Sequence, residues 1–232
     1  MNELKLIEIK ILRTAADLYL KKGYSATTTQ EIAEKSRVKK SNLHYHFRTK
    51  EDILLLLTEA MLEFHLDKIK KSQSDGDDNL MSYCSEIVMQ IALCEHNEYA
   101  RDLYLAIYSG EETLSYVKDW TAKKNHDILG KYLPDWDYDK FRLFENISCC
   151  IERSALTELC NGKYTLEQKI ELILDSLMKL YDIEKAEREK VISKVLKLDY
   201  VAIGEELFKN LTEFVNNKYK KMLDDEIKKE FY

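Results

Sequence analysis

Apolar side chains recur every three to four residues along most of the chain, which is the spacing of one face of an α-helix. The first such stripe contains Ile7, Ile11, Ala15 and Leu18, and Gly23 follows it as a helix-ending residue. Proline occurs once and glycine six times, and the alternation that marks a strand is scarce. The pattern predicts an all-α fold.

Two shorter helices with a tight joint between them are predicted over residues 28–47. Thr28 and Glu31 have the spacing of a capping box, which opens the first helix of the pair. Leu43 and Phe47, four positions apart, form the buried side of the second helix. The arrangement is typical of a helix-turn-helix, whose second helix enters the major groove of DNA.

The polar side chains of this pair cannot all face its small core, so most are expected to face DNA. Thr49 and Asp52 repeat the capping pattern and open a fourth helix with Lys50 in its first turn. A helix N-terminus beside a lysine suits a phosphate. The residues expected to contact DNA are Thr28, Thr29, Gln30, Lys39, Lys40, Ser41, Asn42, His44, Tyr45, His46 and Lys50.

Charge is divided unevenly along the chain, whose overall net charge is −6. Residues 1–50 hold 11 Lys and Arg against 5 Asp and Glu, a net charge of +6. The remaining residues hold 25 basic against 37 acidic side chains, a net charge of −12. This asymmetry favours a basic nucleic-acid reader on an acidic body. The alternatives are a solvated basic face on the first helix and a helical hairpin that merely packs.

One set of residues in the N-terminal quarter of the chain has a family's type and spacing: Ile11-Leu12, Ala15-Ala16, Leu18-Tyr19, Lys22-Gly23-Tyr24, Thr28, Ile32-Ala33, Val38, Leu43, Tyr45-His46-Phe47 and Lys50. Through these residues the chain resembles the TetR family of transcriptional regulators. In place of the glycine usual at the turn of that family stands Arg37, which is strained if its φ is positive. In place of a usual tyrosine stands His44. The resemblance implies a DNA-binding regulator, most often a repressor, that dimerises through its last two main helices.

The fourth helix, predicted over residues 50–71, is long enough to leave the small N-terminal domain and enter a larger helical body. A polar cluster at 72–78 is the clearest break in the chain. We therefore predict a helix-turn-helix DNA-binding domain at 1–50 and a helical ligand-binding and dimerisation domain at 51–232. Further helices are predicted at 79–95, 99–109, 111–131, 138–161, 166–181, 184–196 and 200–229.

Aromatic side chains are concentrated between residues 83 and 144, and ring-lined cavities between helices are common ligand sites. We expect a small apolar or aromatic effector there, with a cation as a further option because rings attract cations. The alternative is that the rings are ordinary core residues. The residues expected to bind the effector are Tyr83, Tyr104, Tyr108, Tyr116, Trp120 and Phe144.

The helices predicted at 138–161 and 166–181 carry apolar stripes that can pair with the same helices of a second copy as a four-helix interface. The alternative is packing within one chain. The final helix is expected to enlarge this interface or to cover the effector pocket. The interface residues are expected to be Ile151, Ala155, Ile170, Ile173 and Leu177.

Motifs of catalysis, phosphate loops and clustered metal ligands are not found in the sequence, so we expect neither an enzyme nor a cofactor or metal. The five cysteines fit no zinc spacing and are expected to be buried, reduced thiols. Without an apolar run of about 18 residues or a signal segment, we expect a cytoplasmic protein with no membrane partner. The expected partners are double-stranded DNA with a near-palindromic operator, a small-molecule effector and a second copy of the chain. Two alternatives stay open: a helical ligand-binding or enzyme domain with an incidental basic end, and a non-specific DNA-coating protein.

Overall fold

The structure is a computed structural model that describes residues 4–74 and 79–231, with the backbone alone for 66–74 and 230–231. These residues form eleven α-helices and no strand, which confirms the all-α fold. The helices are α1 Leu6–Lys22, α2 Thr29–Ser36, α3 Lys40–His46, α4 Lys50–Ser74, α5 Asn79–His96, α6 Glu98–Ser109, α7 Glu111–Leu129, α8 Tyr138–Thr157, α9 Leu166–Leu180, α10 Lys185–Val195 and α11 Tyr200–Phe231.

The observed helix ends lie close to the predicted ones where a local signal sets them. Gly23 ends α1 with φ 91°, and its N–H donates to the Tyr19 carbonyl at 3.0 Å. α8 ends before its predicted limit because Glu158 has an extended backbone, and the turn to α9 contains Gly162 at φ 72°. The predicted break at 72–78 is partly helix, since α4 runs to Ser74, and 75–78 lie outside the described residues.

The first three helices and the start of α4 share one core. Leu12, Ile32, Leu43 and Ile53 are fully buried there, and Phe47 is nearly so. A helix of seven residues such as α3 is marginal by itself. Burying a large apolar side chain contributes about 1.5–3 kcal/mol, so this shared core is what stabilises the small domain.

α5 lies at the centre of the larger body, with buried side chains all along it, among them Tyr83, Val88 and Ile91. α11 crosses α5 at close range at Gly204. A Cβ atom added there would lie only 2.9 Å from the carbonyl oxygen of Met89. The absence of a side chain at Gly204 thus lets the two helices meet backbone to backbone.

Beyond its crossing with α5, α11 packs against α1 and α4. Leu211, Val215 and Tyr219 are buried, and the Tyr219 hydroxyl donates to the Leu56 carbonyl of α4 at 3.4 Å. Leu211 and Val215 line a small void together with side chains of α1, α4 and α6. The sequence predicted for α11 a dimer contact or a pocket lid, and did not predict this connection to α1.

Four of the five cysteine thiols are buried and Cys150 is exposed. Burial raises the pKa of Cys94 to about 12, and burial is also the main cause that raises the pKa of Cys149 to about 12. Such thiols stay protonated near neutral pH and behave as small apolar groups.

Among the described helices, none is both long enough and apolar enough to cross a bilayer.

Candidate functional site

α2 begins at Thr28, whose hydroxyl oxygen accepts the N–H of Glu31 at 3.1 Å. The predicted reciprocal contact from the Glu31 carboxylate to the helix start is wrong. That carboxylate instead pairs with Lys22 of α1 and with Lys35 at 3.1 Å. The hydrogen bond from Lys22 is the main cause that lowers the pKa of Glu31. Glu31 therefore connects α1 to α2.

The turn between α2 and α3 contains Arg37 in the left-handed region, with φ 57° and ψ 37°. Its N–H donates to the Glu34 carbonyl at 3.1 Å, and the Val38 N–H donates to Ala33 at 2.9 Å. A side chain in this conformation costs about 1–2 kcal/mol. The helix-turn-helix geometry is thus reached with a non-glycine residue at the turn.

α3 presents a polar, basic face to solvent while Leu43 anchors its other side in the core. Tyr45 is 80% exposed, the largest exposed fraction among the exposed large apolar side chains. Thr29, at the start of α2, is half-buried. The remaining exposed residues of the predicted DNA-contacting set are Thr28, Gln30, Lys39, Lys40, Ser41, Asn42 and His44.

His46 does not belong to this exposed face. Its Nδ1 lies 2.9 Å from Glu8 Oε1 of α1, and its side chain is only 10% exposed. Glu8 also accepts the Lys5 N–H at 2.7 Å. The prediction that His46 contacts DNA is therefore corrected, because its ring holds the end of α3 against the start of α1.

Lys50 is at the predicted place but already has protein partners. Its Nζ donates to the Tyr24 carbonyl at 2.8 Å and the Thr27 carbonyl at 3.0 Å, and lies 3.9 Å from the centre of the Tyr24 ring. Burial lowers the pKa of Lys50. The ammonium thus fixes the α1–α2 loop to α4, and a phosphate contact by Lys50 stays a prediction.

The predicted capping pair at the start of α4 is confirmed. The Thr49 N–H donates to Asp52 at 3.1 Å, and the Asp52 N–H donates to Thr49 Oγ1 at 3.2 Å.

Asp102 of α6 connects the larger body to the loop between α1 and α2. It accepts the Ser25 N–H at 2.7 Å and also the Ser25 hydroxyl. A Cβ at Gly23 would lie 2.8 Å from the same carboxylate. Sequence reasoning missed Asp102 because nothing near it in the chain points to a partner 77 residues away.

A cavity of about 50 Å³ lies between α4, α5, α6, α7 and α8. Three of the six predicted effector-binding rings line it: Tyr104, Tyr108 and Trp120. α4 contributes Met61 and His65 to its wall. α4 therefore runs from the helix-turn-helix to this cavity and continues beyond it to Ser74.

The other three predicted rings lie elsewhere, which corrects that part of the predicted site. Phe144 packs on Trp136, with ring centres 4.3 Å apart, and Tyr83 packs edge-on against Tyr181 at 6.3 Å. They belong to a separate ring cluster in the core. Tyr116 is half-buried and is not part of the cavity wall.

Charged side chains also line the cavity, and the sequence did not predict them. Glu86 accepts from Lys124 Nζ at 2.8 Å and lies 3.4 Å from His65 Nδ1. Burial favours a higher pKa for Glu86, but the neighbouring Lys124 ammonium outweighs it and the pKa is lowered. Burial lowers the pKa of His65, so its ring is neutral at neutral pH. The Tyr108 hydroxyl donates to Glu152 at 2.8 Å.

A second buried carboxylate, Glu145, lies two helical turns from Glu152 on α8. It accepts from Asn125 at 2.8 Å, from the Tyr181 hydroxyl at 2.6 Å and from the Ser148 hydroxyl at 2.9 Å. Three donors satisfy this carboxylate, so its role is to order α7, α8 and the end of α9.

The predicted dimer residues are divided between the chain's own core and its surface. Ala155, Ile170 and Leu177 are at most 2% exposed, so they pack within the chain and are corrected as interface residues. Ile151 and Ile173 are half-buried.

The same two helices carry other apolar side chains that are exposed. Leu143 and Ile147 of α8 are 64% and 56% exposed, and Leu172 of α9 is 66% exposed. Large apolar side chains that are exposed to this degree are typical of a surface that a partner covers.

Comparison with known families places the similarity in the N-terminal domain. Residues 11–57 match the family described as bacterial regulatory proteins, tetR family. QacR of Staphylococcus aureus, an HTH-type transcriptional regulator, is 54% identical over 64 residues, which are 28% of this chain and 34% of QacR. YerO of Bacillus subtilis, an uncharacterised HTH-type regulator, is 37% identical over 75 residues, 32% of this chain and 25% of YerO.

A longer alignment joins the chain to IcaR of Staphylococcus epidermidis, the HTH-type negative transcriptional regulator of the biofilm operon icaADBC. It is 29% identical over 129 residues, 53% of this chain and 67% of IcaR. The matched region thus spans only a third of QacR and a quarter of YerO.

Among solved structures, CprB from S. coelicolor A3(2), a TetR family protein, superposes with a TM-score of 0.44 and 18% identity, over 88% of this chain and 98% of CprB. A gamma-butyrolactone receptor (ArpA-like protein) gives a TM-score of 0.44 at 16% identity, over 88% and 96%.

Proposed function

We propose that this chain, whose residues 11–57 match the TetR family of bacterial regulatory proteins, is a DNA-binding transcriptional regulator. In this proposal it represses, and it releases its operator when a small molecule binds. The observation that carries the proposal is the helix-turn-helix of α2 and α3, which exposes a polar and basic face on a domain of net charge +6.

The face of α3 is the proposed reading surface. Lys40, Ser41, Asn42 and Tyr45 are exposed on one short helix that a major groove can accept. Lys and Asn can bind guanine and adenine edges respectively, and Ser reaches either base or phosphate. Thr28, at the start of α2, supplies a backbone N-terminus and a hydroxyl suited to a phosphate.

A second copy of the chain is part of the proposal. One reading helix covers too few base pairs for specificity in a genome, and two helices related by a two-fold axis double the site. The exposed apolar face of α8 and α9, with Leu143, Ile147 and Leu172, is the proposed contact. Two helices from each copy would then pack as a four-helix interface.

Control by an effector is proposed to act through α4 and α6. Both helices line the cavity, α4 through Met61 and α6 through Tyr104 and Tyr108. Both also hold the DNA-reading domain, since α4 begins there and Asp102 of α6 binds Ser25. An effector that changes their packing would change the spacing of two reading helices, so effector and DNA would compete without sharing a site.

Gel shifts on random-sequence DNA test the class of function. A regulator gives a shift that depends on the DNA sequence. A DNA-coating protein shifts all sequences alike, and a helical enzyme or ligand-binding domain gives no shift. The proposal also requires reciprocity, with a coupling of about 1–3 kcal/mol: operator DNA must weaken effector binding by the same factor by which effector weakens DNA binding.

A further inference from the structure

The cavity between α4 and α8 holds more negative than positive side-chain groups. The charge of Glu86 is balanced by Lys124, whose Nζ lies 2.8 Å from the Glu86 carboxylate. The two side chains are only 10% and 9% exposed. Glu152 accepts a hydrogen bond from the neutral Tyr108 hydroxyl at 2.8 Å. The cavity wall therefore carries two carboxylates and one ammonium.

The rest of the wall suits a cation with an apolar surface. Tyr104, Tyr108 and Trp120 bring aromatic rings to the same cavity as Glu152, and ring faces attract cations. Most of the side chains that line the cavity are buried, and the lower local dielectric strengthens this attraction relative to water.

We propose that the cavity binds a small organic cation, an alkylated ammonium whose positive charge is placed against Glu152 and the surrounding aromatic rings. The proposal rests on the proposed effector site and names the chemical class of its ligand.

The size of the cavity limits the ligand. It measures about 50 Å³, and by the same measure one water needs about 10–15 Å³. A compact ammonium group of a few heavy atoms fits this space, whereas a large polycyclic cation would require the helices to separate.

Cation binding should be linked to release of a proton. Burial, and next the nearby Glu145, raise the pKa of Glu152 to about 7. A cation favours the ionised carboxylate, so it is held weakly below pH 7 and tightly above it. The charged or titratable groups that face Glu152 are His65 of α4, Tyr83 and Glu86 of α5, Tyr104 and Tyr108 of α6, Lys124 of α7, Glu145 and Cys149 of α8, and Tyr181.

The test compares two probes of the same shape, tetramethylammonium and the neutral tert-butanol, by titration calorimetry on the full chain without DNA. We expect tetramethylammonium to bind at least about tenfold more tightly at pH 8. Its affinity should rise about tenfold between pH 6 and pH 8. Buffers of different ionisation enthalpy should reveal proton release at pH 7, a readout that needs no variant.

The variant Glu152→Gln keeps the acceptor for Tyr108 and removes the charge. It should lose both the preference for the cation and the pH dependence. Glu213→Gln, which neutralises an exposed carboxylate of α11, should keep both. Equal affinity for the two probes, no binding of the cation at millimolar concentration, or an affinity that does not change with pH would each overturn the proposal. Because no DNA is present, a failure here leaves the gel-shift result for the proposed function standing.

Discussion

Arg37 holds a left-handed backbone, with φ 57°, at the turn between the two helices that are proposed to meet DNA. Glycine adopts this conformation without steric cost. The side chain of Arg37 is exposed, so replacing it removes strain without opening a cavity. The Arg37 side chain does place a positive charge beside α3, and a positive charge there would attract DNA phosphates.

We expect Arg37→Gly to stabilise the chain by up to about 1 kcal/mol and to raise the melting temperature by about 2–4 °C. The same variant should weaken DNA binding, because one positive charge is lost. Thermal unfolding and DNA titration measure the two effects. Lys39→Gly is the matched control, since Lys39 has φ −62° and gains no relief from glycine. If Arg37→Gly instead lowered the melting temperature, the claim that the Arg37 backbone is strained would be wrong.

Lys40 is the exposed cation at the start of α3. Lys40→Ala should relax the preference at one base position in each half-site, at a cost of about 1–3 kcal/mol if the contact is to guanine. Selection of bound duplexes by the variant and by wild type measures this. Lys194→Ala, an exposed lysine of α10, should leave the preference unchanged. An identical preferred sequence for Lys40→Ala would exclude Lys40 as a reader.

At the scale of helices, α11 is a third connection between the body and the N-terminal helices, beside α4 and the Asp102–Ser25 contact of α6. It meets α5 through Gly204, and further along it buries Leu211 and Tyr219. A movement of α1 must therefore also move α11 or break this contact. In the proposed mechanism, α11 would thus limit how far an effector shifts α2 and α3.

We expect Leu211→Ala to destabilise the chain by about 2–5 kcal/mol, because it empties a buried site. It should also increase hydrogen exchange in α1, whose side chains line the void beside Leu211. Exchange measured by mass spectrometry separates α1 from the remainder. The control Lys209→Ala changes an exposed position of the same helix. Exchange that rises uniformly over the whole chain would show that α11 does not hold α1 in particular.

Helix limits were largely predictable from the sequence because their causes are local. Gly23 and the Thr49–Asp52 pair act within four residues of the helix end they set. The partners of His46 and Lys50 were not predictable, since Glu8 and the Tyr24 carbonyl are distant in the chain. An exposed lysine and a lysine that binds carbonyls look the same in a sequence.

At the scale of the whole molecule, periodicity predicts that a helix has an apolar face but does not decide which neighbour covers it. α8 and α9 each carry apolar residues on two faces, and the sequence placed Ala155 and Ile170 on the outer one. The body buries them, and Leu172 is exposed instead. Similarly, nothing in the sequence connects Glu86 with Lys124, which is 38 residues away. Only the fold brings the two charges together at the cavity.

We expect Leu172→Arg to split the proposed dimer, because charge is costly in an apolar interface, and to abolish tight binding to a two-part operator. The chain itself should stay folded, since Leu172 is 66% exposed. Sedimentation should give twice the 27.4 kDa chain mass for wild type and a single mass for the variant. Ile203→Arg, at an apolar side chain of α11 that is 37% exposed, should remain dimeric. A Leu172→Arg monomer that still binds its operator tightly would contradict the two-fold arrangement.

The most direct test of the central claim is selection of bound sequences by wild-type protein from a pool of random duplexes. Two reading helices on a two-fold axis must meet major grooves about 34 Å apart or somewhat more. The selected DNA should therefore converge on a near-palindrome whose half-sites are about one helical turn or more apart, centre to centre. A pool that shows no enriched sequence after selection would contradict the assignment of this chain as a sequence-specific regulator.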